Sequence, residues 1–306
     1  MRPLTLLTAP DGEQRAAAHR NRAARYTVAH RERRSAGVKH PVEDFLFTYY
    51  ALTPGRLERW HPGAGVVVTG RSATERAGWR DYRSLDVAER AGLGLTADEP
   101  AVTVDVDGFL TRRSVTVAFV GRLLRSTASR PGQFGCFGLH EWAMVYRQDA
   151  GDRRHEALPL RLGAAGTDAV VESHRLRCTH IDAFRFFTDE AVPRNELHPT
   201  RERQVELDQP GCLHATMDLY KWAYTLLPVV PGELVLDCLD LAADVREIDM
   251  RASPYDLTGH GLTAVPIETP AGKGEYVAAQ RGFADRGAEL RQRLLAALDS
   301  LAAFVR

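Results

Sequence analysis

Lysine is almost missing from this chain: of its 40 basic residues only Lys39, Lys221 and Lys273 are lysine, and the other 37 are arginine. With alanine also abundant, that bias reflects coding composition, so arginine number alone argues nothing about phosphate binding. Net charge is missing too, since 40 acidic residues balance the 40 basic ones, and no chain-wide field favours or excludes a polyanionic partner. The four cysteines, Cys136, Cys178, Cys212 and Cys238, show no CxxC spacing, and the Met1–Thr8 start is too short for a secretory leader. A reduced, cytoplasmic protein is expected. No apolar run approaches the ~18–20 residues a membrane span needs, so no membrane partner is expected.

What is present is an ordinary globular composition, 306 residues at 44% hydrophobic, enough to bury a sizeable core. Charge is uneven at one end. Residues 1–40 carry nine Lys/Arg against three Asp/Glu, and residues 13–37 read as a polar helix. The expected organisation is a basic N-terminal helical arm over 1–40 and a single mainly helical catalytic domain over 41–306. A solvated helix is the plainer reading of the arm, and a phosphate-contact surface around Arg31, Arg33 and Arg34 the sharper one.

His40-Pro41 is expected to open a second helix through Tyr50, with Pro41, Glu43 and Asp44 suited to its first turn. A short helix begins near Pro54 and a strand spans 65–70; residues 71–100 are polar and loop-rich, and 101–106 alternates weakly. Apolar residues at helical spacing predict helices over 108–125, 213–226, 231–251 and 273–304. Short strands are expected within 136–147, 158–163, 169–172 and 176–184, forming one small mixed sheet. The fold class is α+β, predominantly helical with one small mixed sheet.

Chemistry concentrates between Cys178 and Trp222. If 176–184 is extended, Cys178, His180, Asp182 and Phe184 share one face. Three Cys/His neighbourhoods recur, Cys136 to His140, Cys178-Thr179-His180 and Cys212-Leu213-His214. Convergence of His140, His180 and His214 would suit zinc, although no established zinc spacing is present and a buried His beside an inert Cys is the plainer reading.

Glu141 beside Trp142, Asp182 near Phe184 and Phe186, and Asp218 near Tyr220 and Trp222 each set an acid against apolar surface, where desolvation suits general acid or base work. The competing reading is a surface ion pair with a packed aromatic. Lys221 in aromatic surroundings could act as a Schiff-base nucleophile if it lost its charge. The run Asp249-Met250-Arg251-Ala252-Ser253-Pro254-Tyr255-Asp256 either completes a pocket or caps a helix.

The blocks His40–Tyr50, Gly135–Arg147, Met217–Trp222 and Arg251–Asp256 together resemble an actinobacterial family labelled 3-methyladenine DNA glycosylase, a likeness running from about residue 13 to the C-terminus. No helix-hairpin-helix signature is present, so no catalytic residue carries over from the characterised alkylpurine glycosylases. The resemblance implies excision of an alkylated purine from duplex DNA, without a cofactor. A flipped base would sit among Trp142, Phe186, Tyr220, Trp222, His140 and His180. Asp218, with Asp182, Glu141 and Lys221 as further candidates, would support an oxocarbenium-like sugar. Arg31, Arg33, Arg34 and Arg194 would hold phosphates. Three readings compete: a nucleoside- or tRNA-directed glycosidase, a zinc hydrolase built on His140, His180 and His214, and a non-catalytic nucleic-acid-binding protein. Oligomeric state is left open.

Overall fold

A computed structural model describes residues 3–148 and 158–304. In chain order the elements are β1 (Thr5–Leu7), α1 (Ala9–Ser35), α2 (Phe45–Thr48), α3 (Pro54–Leu57), β2 (Val66–Thr69), α4 (Gly70–Arg76), β3 (Tyr82–Ser84), α5 (Val87–Gly92) and β4 (Ala101–Val104). Then come α6 (Val106–Ala128), α7 (Leu139–Ala143), α8 (Gly163–Glu172), α9 (Ile181–Phe184), α10 (Gln204–Leu207), α11 (Leu213–Thr225), α12 (Gly232–Arg251) and α13 (Pro270–Ser300). The chain is predominantly helical with one small sheet, as its composition and periodicity suggest.

The sheet is mixed, in the order β1-β2-β4-β3, with β1 parallel to β2 and the other two pairings antiparallel. It is built from the first third of the chain, where β2 falls in the strand expected over 65–70 and β4 in the weakly alternating 101–106, and not from the segments between 136 and 184 where the sheet was expected. Residues 139–143 form α7, 163–172 form α8, and 181–184 form α9. Leu160 makes only an isolated bridge to Tyr255, and Leu176 one to Asn195. These segments are short and apolar, so alternation and helical periodicity cannot be told apart in them. Residues 149–157, between two of the expected strands, lie outside the described residues.

α11, α12 and α13 pack against one another to form the centre of the molecule. α12 buries Leu234, Val235, Leu236, Leu239, Leu241 and Val245 on its inner face, which makes it the core helix, while its acids Glu233, Asp237 and Asp240 meet α1. α13 lays Tyr276, Gln280, Phe283, Gly287, Leu290 and Leu294 along one buried stripe. The basic helix α1 lies on this body rather than apart from it. Arg15 pairs with Glu233 at 2.8 Å, Arg22 with Asp237 at 2.7 Å and Asp240 at 2.6 Å, and the buried His19 ring bonds the Leu57 carbonyl at 2.8 Å.

Candidate metal centre

Three helix ends meet on the inner face of this body. Gly138, left-handed at φ 72°, turns the chain into α7 and presents His140 inward. His214 stands in the first turn of α11, where Cys212 precedes the helix in extended conformation. Asp249 comes from the last turn of α12. One atom from each lies within 4.8 Å of the others, and all three residues are buried.

His140 Nε2 and Asp249 Oδ1 are 2.9 Å apart, an ion-pair distance. The His214 ring stands beside them, its centroid 4.6 Å from that of His140. The other carboxylate oxygen, Asp249 Oδ2, accepts from Arg246 Nη1 at 3.2 Å, and the same nitrogen donates to Glu141 Oε1 at 3.0 Å. One guanidinium thus faces two buried carboxylates, and a cation between His140, His214 and Asp249 would offset the remaining charge. Arg246 also lies 3.9 Å from the Phe45 ring centroid, which fixes this supporting shell.

Without a cation the protons divide unequally. Burial works against a charged His140, but Asp249 outweighs it and raises the imidazole pKa well above its ordinary value. His214 is pushed well below, by burial and by the charge on His140. The buried group of His140, His214 and Asp249 can hold a metal ion. Cys136 Sγ, 3.6 Å from His140 Nδ1, lies against the ring edge opposite Nε2.

Compared with known protein families, characterised proteins and solved structures, the chain matches none of them. Its chemistry is therefore read from its own geometry.

The third member of the group is Asp249, not the expected His180. His180 is fully buried on the far side of His214, ring centroids 5.5 Å apart. Its Nε2 stands 3.5 Å from Asp218 and 3.8 Å from Asp208, and neither ring nitrogen makes a hydrogen bond. Asp218 accepts from Tyr50 Oη at 3.0 Å and sits 3.6 Å from Lys221 Nζ. Asp182 pairs with Arg201 and, at 3.3 Å, with Lys221. Burial opposes the Lys221 charge, but Asp218 and Asp182 outweigh it and hold its pKa above the ordinary lysine value, leaving no free lone pair for a Schiff base.

A cavity of about 300 Å³ reaches the metal group, and its walls include His140, His214, Cys136, Cys178, Cys212 and Tyr276. The three Cys/His neighbourhoods do meet, as three thiols and two imidazoles around one space. Asp218, Asp182 and Glu141 are not in those walls. Nor do the four expected base-pocket aromatics gather there. Trp142 is fully buried with Nε1 bonded to the Ala252 carbonyl at 2.9 Å, and Tyr220 is closed into the core. Trp222 packs edge-on to Phe119 at 5.8 Å, and Phe186 lies under Arg185 at 4.5 Å.

Among the expected phosphate contacts, Arg31 is bonded bidentately to Glu58, and Arg33 to Asp44 and Glu43. Arg194 lies 5.4 Å from the Tyr146 ring centroid, whereas Arg34 is exposed. Sequence reasoning singled out the Asp249–Asp256 run as a possible part of a pocket but did not identify Asp249 as a ligand. No local spacing could reveal it, since it comes from a helix more than a hundred residues beyond His140.

Proposed function

We propose that this protein is a metal-dependent hydrolase whose zinc ion is held by His140, His214 and Asp249. The observation carrying the reading is the gathering of His140, His214 and Asp249, all buried, with one ligand atom of each within 4.8 Å of the others, at a cavity that His140 and His214 line. Two imidazoles and a carboxylate suit zinc and leave a fourth position for water, whose pKa zinc lowers to about 7. Arg246, itself held by Glu141, donates to the carboxylate, and the cavity admits a small substrate.

The same donor set favours a second reading, an Fe(II) centre that activates O₂. We place zinc first because the cavity wall carries three thiols that such a centre would oxidise. Excision of a modified purine from DNA has less support, because its carboxylates Asp218 and Asp182 do not line the cavity.

Metal analysis of the purified protein tests these readings. One zinc per chain is expected, lost in His214→Ala and in Asp249→Asn and retained in His180→Ala. Iron with O₂ consumption would move the assignment to an oxygenase. Release of methylpurine from methylated duplex DNA that resists chelation and vanishes in Asp218→Asn would restore the glycosidase.

A further inference from the structure

Two residues of the cavity wall each keep a polar atom that the fold leaves unpaired among the described residues. Tyr276 and Gln280 lie one turn apart on α13, a spacing that puts both on one face of the helix. Each is about 1% exposed, and each keeps one polar atom without a partner, Oη of Tyr276 and Oε1 of Gln280. Gln280 is oriented by its other atom, since Nε2 donates to the Gly211 carbonyl at 2.6 Å. What it offers the cavity is therefore an acceptor only.

Tyr276 is placed against the start of α7. A Cβ on Gly138 would lie 3.5 Å from its Oη, two residues before the metal ligand His140. Burial keeps its hydroxyl protonated, with a pKa well above the ordinary tyrosine value, so it is available as a donor. The neighbouring Gln209 differs: its Oε1 accepts from the Gln133 and Gly211 backbone N–H groups, both at 2.8 Å. Gln209 holds the loop, whereas Tyr276 and Gln280 face the space.

Resting on the zinc-hydrolase reading, we infer that the substrate is a small carboxamide, its carbonyl oxygen bonded by Tyr276 Oη and its N–H by Gln280 Oε1. A donor and an acceptor beside a metal centre match the two ends of one amide group. Zinc held by His140, His214 and Asp249 would supply an activated water as nucleophile, and Tyr276 would stabilise the oxyanion that develops on the carbonyl oxygen. The C–N bond then breaks, the nitrogen leaves with a proton from the attacking water, and a carboxylic acid and an amine result. The cavity of about 300 Å³ limits the substrate to a small molecule.

Titration calorimetry of zinc-loaded protein with acetohydroxamate, which has an amide-like N–H, and acetate, which has none, tests this inference. Gln280→Met is expected to weaken acetohydroxamate about tenfold and acetate less than about twofold, and Tyr276→Phe to weaken both about tenfold, as loss of one buried hydrogen bond predicts. Because Tyr276 Oη has no hydrogen-bond partner among the described residues, Tyr276→Phe should fold normally and keep its zinc even if Gln280→Met does not fold. Unchanged affinities in Tyr276→Phe, equal losses of both probes in a folded Gln280→Met, or one zinc per chain with no hydroxamate binding would each overturn the carboxamide assignment while leaving the metal centre standing. A protein that binds no zinc, or keeps it in His214→Ala, would instead overturn the metal reading beneath it.

Discussion

At the scale of single residues, polar atoms inside this protein fall into two kinds, those tied to a partner and those left facing a space. Asp44 is of the first kind. Burial would raise its pKa, but hydrogen bonds from Arg33, His30 and the His40 backbone N–H outweigh that and bring it down to about 2. A depressed carboxyl pKa means that Asp44 stabilises the fold fully above the ordinary aspartate value and loses this contribution as pH falls toward 2. Acid titration of thermal stability should therefore show a loss between roughly pH 4 and 2 that is much reduced in Asp44→Asn. The same ion pairs explain why Arg33, an expected phosphate contact, is already engaged. Tyr276 and Gln280 are of the second kind, and unsatisfied buried atoms of this sort are where function rather than stability has set the residue. Removing the unpartnered Tyr276 hydroxyl should leave the melting temperature of Tyr276→Phe unchanged or slightly raised, measured on zinc-free protein.

At the scale of elements, the centre depends on where short helices begin. Gly138 takes φ 72°, and a Cβ there would stand 3.3 Å from the Tyr276 ring. Gly138→Ala combines a left-handed backbone cost of roughly 1–2 kcal/mol with pressure on Tyr276. It should lower stability by about that amount and weaken zinc binding, read together by thermal melting and metal titration. The long helices were legible because α6, α11, α12 and α13 carry their apolar residues at helical spacing over at least 13 residues each. α7 and α9 were not. Five and four residues long, they give no full period to read, and their positions depend on the left-handed turn at Gly138, on their contact with each other, and on side-chain links from Glu141 to Arg246 and from Asp182 to Lys221.

At the scale of the whole molecule, the basic N-terminal helix is part of the body. β1 pairs with β2, and α1 buries His19, Ala23, Thr27 and His30 while its arginines meet acids on α12. Deleting residues 1–40 should therefore abolish a cooperative melt rather than release a stable 41–306 domain, and circular dichroism on the truncated chain would show which. The net charge of +0 acquires a meaning here, because the positive charge of α1 is matched in space by the acids it covers.

By itself, the sequence determined the class of fold, the long helices and the inventory of reactive groups, since periodicity and composition are local properties that survive without knowledge of contacts. It also placed Cys136, His140, Cys178, Cys212 and His214 among the residues worth watching, and all five reach one cavity. Tertiary structure alone decided that Asp249 rather than His180 stands beside His140 and His214. It also decided that Trp142 and Tyr220 are core, and that Tyr276 and Gln280 face the site. A ligand set is a matter of angstroms between side chains on separate elements, and the packing of α7, α11, α12 and α13 sets those distances.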